Sequence, residues 1–287
     1  MEPVTDSQTT ATYCEDQLRR GDKDRHRIAL LAPVQVRPSL MAVLAFNLEV
    51  ARTRELTSEP AIGRIRLQWW RDAVAEIYGG AAVRRHPVCA ALSSAISAHA
   101  LPRAPFDQLI DAREHDLNDE RFATLEALVA YLDGTSVPVV RLLLAVLGGG
   151  DDETADQLAL HAGRAWGLVG LMRALPWLIA RRRLPLPVDE LSRAELTPNM
   201  VIDHGRLAVL APVLARLGER TNTEIAAART LAPRTTGPVR VAARLVTLAA
   251  FYHRQLARDG WRMPEQAAGD DPRAMRALVW AMLRRTY

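Results

Sequence analysis

The chain has 287 residues, 49% of them apolar and 24% charged, the balance of a globular protein with a full core. Cys14 and Cys89 stand far apart with no CxxC or His/Cys spacing. That excludes a zinc knuckle and a disulfide framework, and reads as free thiols in a reducing compartment. A net charge of +4 and a pI near 9.5 suit nucleic acid or an anionic membrane surface. Lys23 is the only lysine, however, so the basic character is an arginine bias accompanied by much Ala and Pro, as a GC-rich genome imposes. No nucleic-acid partner is expected.

Ala, Leu and Arg dominate and strand-type runs of Val, Ile, Thr and Tyr are missing, which predicts an all-α fold. Residues 1–12 are polar, with neither a secretory apolar region nor an Arg-rich amphipathic pattern, and are expected as a disordered tail without a signal or transit peptide. A single domain is expected over residues 13–287. Tyr13 to Arg20 reads as a short helix ended near Gly21, and Pro38 to Glu55 as the next, with Leu40, Val43, Leu44 and Asn47 in helical register. Thr57 or Ser58 is the expected cap of a helix with Pro60 in its first turn. That helix runs to Tyr78, carries Ile62, Ile65, Trp69, Ala73 and Ile77 as its stripe, and is stopped by Gly79-Gly80.

Pro87 and Pro102 open two further helices, the second bearing Phe106, Leu109, Ile110, Arg113 and Leu117 together. Leu125 to Leu147 reads as one long apolar helix before Gly148-Gly149-Gly150. Its most apolar part, Val137 to Leu147, is broken by Arg141 and falls short of the ~20 residues a transmembrane helix needs, so a soluble protein peripheral to a membrane at most is expected. Asp151 or Asp152 caps a helix through His161 and Trp166 to Trp177, ended by Arg181, Arg182, Arg183, Pro185 and Pro187. Helices over 206–231, 238–258 and 272–285, with a loop around Pro264, complete the chain.

Three segments carry a further pattern. The first is Ala45-Phe46-Asn47-Leu48-Glu49-Val50-Ala51. The second runs from Trp70 through Tyr78-Gly79 to His86-Pro87-Val88 and Ala91-Leu92. The third is Gly163-Arg164-Ala165-Trp166-Gly167-Leu168 through Arg173, then Arg183-Leu184-Pro185-Leu186-Pro187. Between the last two lie Asp116-Leu117 and Leu128-Val129-Ala130-Tyr131. In this order and spacing the set, covering about residues 13–260, resembles the squalene/phytoene synthase family of head-to-head prenyltransferases. The resemblance implies a single isoprenoid-synthase-type helical bundle around a central cavity.

It also implies two DxxxD pairs on facing helices, because the family ionises allylic diphosphates with Mg²⁺ held by carboxylates at i and i+4. This chain departs from both motifs. The first falls on Ala51-Arg52-Thr53-Arg54-Glu55, where only Glu55 can ligate, and the second on Arg173-Ala174-Leu175-Pro176-Trp177-Leu178, where both acids are missing. The family's polar Gln and Asn positions fall on Gly167 and Gly170, and its exit tyrosine on Pro185. No catalytic residue, metal or cofactor is expected.

Within the family, the string Ala45–Ala51, the run Ile62-Gly63-Arg64-Ile65-Arg66-Leu67-Gln68-Trp69-Trp70 and the ending Arg284-Arg285-Thr286-Tyr287 resemble the branch of complex I assembly factors, which also lacks the acidic motifs. The resemblance implies a non-catalytic protein whose partners are subunits or assembly intermediates of NADH:quinone oxidoreductase. It further implies a role at the inner membrane, and the absence of a transit-peptide pattern fits a cytoplasmic place peripheral to that membrane.

Two alternatives stay open. One is a prenyltransferase that holds Mg²⁺ with atypical ligands from Glu49, Glu55, Asp111 and Asp116. The other is an isoprenoid- or phospholipid-binding protein that keeps the cavity without chemistry, with Glu49, Arg52, Asp116, Trp166 and Arg173 as candidate contacts. Arg52, Arg54, Arg173 and Arg181 to Arg183 read either as a metal-free site for a diphosphate or phospholipid headgroup, or as surface arginines. Trp69, Trp70, Trp166 and Trp177 read as core anchors or as pocket walls. Asp151, Asp152 and Asp156 read as a helix cap rather than a metal site, Asp111 and His115 as a solvated i, i+4 pair or a shared proton or metal, and His161 and His253 as satisfied core histidines.

Overall fold

The computed structural model describes residues 7–57, 59–118, 120–149, 153–204, 207–232, 240–262 and 271–283, and among these no strand occurs. Helix α1 (Ser7–Gly21) begins upstream of the expected Tyr13, and Thr10 is already buried. A helix that the sequence reading missed follows, α2 (Lys23–Leu30), whose N-cap Asp22 accepts the Arg25 amide at 3.1 Å. Next come α3 (Arg37–Ala51) and the short α4 (Thr53–Leu56), separated by a break at Arg52 where a continuous helix was expected.

Helix α5 (Pro60–Tyr78) has Glu59 at its N-cap with no side-chain cap bond, and the Thr57 hydroxyl instead donates to the Thr53 carbonyl at 2.9 Å. Its buried stripe is Gly63, Leu67, Trp70, Ala73 and Val74. The expected stripe was rotated, since Ile62 and Ile65 are 47% and 70% exposed. Both registers are helical, and the choice was settled by neighbours the sequence does not reveal. Leu67 and Trp70 turn inward, and Trp70 packs edge-on against Phe46 at 5.3 Å.

Helices α6 (Pro87–His99) and α7 (Ala104–Ala112) follow, the latter starting with Pro105 in its first turn rather than at Pro102, and Leu117 lies beyond it in a 3-10 turn. The long apolar run is two helices, α8 (Leu125–Thr135) and α9 (Val137–Val146), meeting at Ser136. Together, Leu125–Val146 is long and apolar enough to cross a membrane, contrary to the expectation above, but 67% of its apolar window is buried inside the bundle. It is a core element. Arg141, which interrupts its hydropathy, donates to Asp156 at 2.6 Å.

Helix α10 (Glu153–Ile179) is the longest, and the expected cap at Asp151 or Asp152 lies outside the described residues. The link after it holds two short helices the sequence reading missed, α11 (Val188–Arg193) and α12 (Pro198–His204). The chain closes with α13 (Ala211–Leu231), α14 (Arg244–Arg258) and α15 (Pro272–Leu283). The loop around Pro264 and the ending Arg284–Tyr287 lie outside the described residues.

Two helices organise the packing. Helix α3 lies against α1, α6 and α9, and α10 against α8, α9, α13 and α14, so α9 is sandwiched between them. Gly163 permits this, because a Cβ there would stand 2.7 Å from the Val137 Cα at the α8–α9 junction. The ends of α3 and α10 frame the candidate site described below.

The α5 register is directly testable by denaturant unfolding. Leu67→Ala removes a fully buried side chain and is expected to cost ~2–5 kcal/mol. Ile65→Ala, at an exposed site, should change stability by less than ~0.5 kcal/mol.

Candidate functional site

Where α3 passes into α4 and α10 runs out, the bundle leaves a cavity of about 280 Å³. Ala51, Arg54 and Glu55 form one wall and Leu171 and Leu178 the facing one. The turn after α7 contributes Arg113, His115 and Asp116, with Glu120, Arg121 and Phe122 beyond it. Tyr131 comes from α8, Arg182 to Pro185 from the link, and Ile202 from α12. Thus Ala51, Glu55 and Leu178 face one cavity, while Ala174, partly exposed, is not among its lining residues.

The donor set does not fit magnesium. Mg²⁺ demands oxygen ligands in near-ideal octahedral geometry, and alkyl groups stand at Ala51 and Leu178. Three carboxylates line the cavity (Glu55, Asp116, Glu120) against five arginines (Arg54, Arg113, Arg121, Arg182, Arg183). Asp116 is already engaged. Its Oδ2 accepts from Arg113 Nη1 at 3.0 Å and its Oδ1 from the Tyr131 hydroxyl at 2.7 Å, while Arg113 Nη1 also donates to Tyr131 Oη at 2.8 Å. Among the described residues, no group of three or more His, Cys, Asp or Glu is arranged to hold a metal ion.

The electrostatics follow from this triad. Burial opposes the Arg113 charge, but the Tyr131 and Asp116 oxygens more than offset it and hold the guanidinium charged. Burial raises the Tyr131 hydroxyl well above the ordinary phenol range, against the lowering effect of Arg113. Partial desolvation holds the Glu55 carboxyl above its usual range although Arg52, Arg183, Arg181 and Arg113 all favour its charge. Two buried nitrogens on lining residues, Arg113 Nε and His115 Nε2, have no hydrogen-bond partner. The His115 ring stacks on Phe122 with centroids 4.5 Å apart.

Of the five candidate contacts from the sequence, the structure brings only Asp116 to this cavity. Glu49 accepts from Arg66 at 2.6 Å, and the Arg52 guanidinium lies against Gly21 of α1. Arg173 donates to Asp24 at 3.1 Å with its guanidinium 3.5 Å from the Tyr252 ring centroid, and Trp166 faces Arg25 at 5.7 Å. The alternative magnesium set is split likewise, because Asp111 accepts from Arg71 at 2.9 Å on an exposed face while only Glu55 and Asp116 share the cavity.

None of Trp69, Trp70, Trp166 and Trp177 lines the cavity; Trp70 is a core anchor and Trp177 carries the Arg181 guanidinium 3.9 Å over its ring. His161 Nδ1 lies 2.7 Å from Glu224 and His253 Nε2 lies 3.0 Å from the Gly218 carbonyl, as expected of satisfied histidines. Burial pushes both thiols, Cys14 and Cys89, up to about 12. Sequence reasoning missed Arg121 and the pairing role of Arg113. The i, i+3 spacing of Arg113 and Asp116 was the available signal.

The fold and cavity define a class, and comparison with known proteins assigns it. The squalene/phytoene synthase family profile matches residues 18–281, and the chain belongs to that family. A squalene synthase from Alicyclobacillus acidocaldarius superimposes with a TM-score of 0.78 at 21% identity, covering 91% of this chain and 98% of the other. A dehydrosqualene synthase superimposes at 0.80 with 18% identity, over 99% and 100% of the two chains. These confirm the all-α isoprenoid-synthase fold.

In sequence, the chain is 36% identical over 180 residues to the bovine NADH dehydrogenase (ubiquinone) complex I assembly factor 6, and 34% identical over 180 residues to the human one. Both alignments cover 63% of this chain and 54% of the relative, so the match spans about half the length of these proteins. Presqualene diphosphate synthase of Rhodopseudomonas palustris is 31% identical over 155 residues, 52% of this chain and 54% of that one.

Two outcomes follow from the triad and its neighbour. Asp116→Ala leaves Arg113 charged and uncompensated and is expected to cost ~3–5 kcal/mol in urea unfolding, against ~1 kcal/mol for Tyr131→Phe. For Glu55, a folded-state pKa raised above the unfolded one means its stabilisation is complete only below the ordinary carboxylate range and is lost as pH rises through the folded value. Glu55→Gln should therefore melt higher than the parent at neutral pH, with the gap closing below roughly pH 4.

Proposed function

We propose that this chain is a non-catalytic member of the squalene/phytoene synthase family that acts in assembling respiratory complex I. The observation that carries the reading is the inverted donor set of the cavity. Ala51 and Leu178, on which the family resemblance puts the acidic motifs, line this cavity as alkyl groups, and five arginines line it with only three carboxylates. An allylic diphosphate ionises readily when its leaving group is stabilised by fixed cations aligned with the developing charge, and among the described residues no carboxylate cluster is arranged to hold such metals. The similarity to relatives named as complex I assembly factors supplies the direction. The partners in this reading are subunits or assembly intermediates of NADH:quinone oxidoreductase, and the place is the cytoplasmic side of the inner membrane.

Deletion in the native host tests it. Complex I activity should fall while carotenoid and hopanoid contents stay level, and the reverse pattern would overturn the reading.

The same cavity supports a second role within the first, metal-free capture of a phosphate-bearing amphiphile. Arginine recognises oxyanions bidentately without a metal, and the unpartnered Arg113 Nε and His115 Nε2 nitrogens are unspent polar capacity on the lining residues. Calorimetric titration with inorganic diphosphate in EDTA should show binding that Arg121→Gln weakens several-fold. Binding that appears only on adding Mg²⁺ would contradict it.

A further inference from the structure

We infer that this cavity takes the head of a small organic diphosphate and shuts out a long isoprenoid chain. The inference rests on the metal-free capture proposed above and narrows its ligand to a diphosphate carrying about one isoprene unit. Its basis is room. The cavity measures about 280 Å³, whereas sites that enclose a drug-sized molecule run to ~300–1,000 Å³. A diphosphate and a short branched alkyl group fill such a space, and a farnesyl chain does not fit beside them.

The walls divide the cavity between the two halves of that ligand. Arg54 and Arg183 are half-buried, Arg121 and Arg182 are exposed, and Arg113 is spent on Asp116 and Tyr131. Glu55, Asp116 and Glu120 oppose them, but desolvation disfavours the charge on Glu55, and Asp116 is already met by Arg113. The balance favours an oxyanion that arginine grips bidentately. Leu171 and Leu178 on the wall facing Arg54, with Ile202 from α12, supply the aliphatic half.

Inward of the cavity the bundle is full. Ala51 lines the cavity from the end of α3, and Phe46 and Val50, before it on the same helix, are fully buried. Phe46 meets Trp70 and Phe106 edge-on, each at 5.3 Å. On α10, Gly167 is closed off by Leu132, whose Cδ2 would stand 2.7 Å from an added Cβ, and Arg173 reaches across to Asp24 and Tyr252. A void lined by Leu40, Leu44, Leu143, Leu147 and Leu245 survives further back, but it measures only about 10 Å³. That is the room of one water molecule at most. It shares no lining residue with the cavity, and Leu44 stands about two turns, ~10 Å, before Ala51 on α3. A chain entering from the cavity therefore meets packed side chains and has no tunnel to follow.

Calorimetric titration of the full chain in EDTA tests the inference. The ligands are inorganic, dimethylallyl, geranyl and farnesyl diphosphate, each below its micelle concentration. Burying one carbon multiplies affinity about fourfold, so a bundle that took up the chain would gain roughly several hundredfold with each added isoprene unit. Dimethylallyl diphosphate should bind about tenfold tighter than inorganic diphosphate, through partial burial against Leu171, Leu178 and Ile202. Geranyl and farnesyl diphosphate should match it within about threefold. Arg121→Gln should weaken all of them several-fold, whereas Arg258→Gln, at the end of α14, should bind like the parent.

Affinity that climbs about a hundredfold or more from dimethylallyl to farnesyl diphosphate would overturn the inference and leave metal-free capture standing. Affinity that falls along the same series would support it, because a packed interior excludes the longer chain. Equal affinity for inorganic and dimethylallyl diphosphate would overturn it, since the aliphatic wall would then be idle. Binding that Arg121→Gln leaves untouched would place the ligand elsewhere and overturn it too. Failure of every ligand, inorganic diphosphate included, would remove metal-free capture and this inference with it. None of these outcomes depends on complex I, so the host-deletion result stands in every case.

Discussion

A guanidinium enclosed in a helix bundle is tolerated only if its charge is met, and Arg113 imposes that requirement on this cavity. Asp116 and Tyr131 meet it together, closing a triangle in which each member bonds both others. The consequence is chemical. Asp116, the carboxylate best placed inside the bundle, spends both oxygens on its neighbours and has little left for a cation. Glu55 remains at the lip with its charge disfavoured. Among the residues lining the cavity, arginines outnumber carboxylates and alkyl groups stand at Ala51 and Leu178, a lining suited to anions rather than to divalent metals.

The scaffold that holds this cavity has the fold of its structural neighbours, and its packing contacts lie apart from the site. Helices α3 and α10 sandwich α9, and the absence of a side chain at Gly163 lets α10 touch the backbone of Val137. At Gly167 a Cβ would stand 2.7 Å from the Leu132 side chain, so a second close approach lies one turn further along. These contacts sit in the middle of α10, whereas Leu178 sits near its end. Acids can therefore be exchanged for alkyl groups at the end of the helix while its middle keeps its seat.

Much of the fold was legible in the sequence because it is written in local terms. Prolines at Pro60 and Pro87 and glycines at Gly79-Gly80 bound their helices as expected, since φ restriction and a left-handed stop act within one turn. What failed was non-local. The stripe of α5 was read a notch off because Ile62, Ile65 and Leu67 are equally apolar, and only the position of Phe46 and Leu117 decides which turn inward. The break at Ser136 was passed over although Asp133-Gly134-Thr135-Ser136 and Pro138 mark it in the sequence. Ala51, Glu55 and Leu178, singled out in the sequence, line one cavity, whereas Ala174 does not and Glu49, Arg52, Trp166 and Arg173 were drawn to other partners. Arg173 is held by Asp24, 149 residues away, a pairing that no spacing rule reveals.

The central claim is that the scaffold has outlived its ionising apparatus. Incubating the purified chain with farnesyl or geranylgeranyl diphosphate and Mg²⁺, and measuring released diphosphate, tests that claim most directly. The account predicts release indistinguishable from a protein-free control. Turnover approaching the ~10 s⁻¹ of an ordinary enzyme would contradict it.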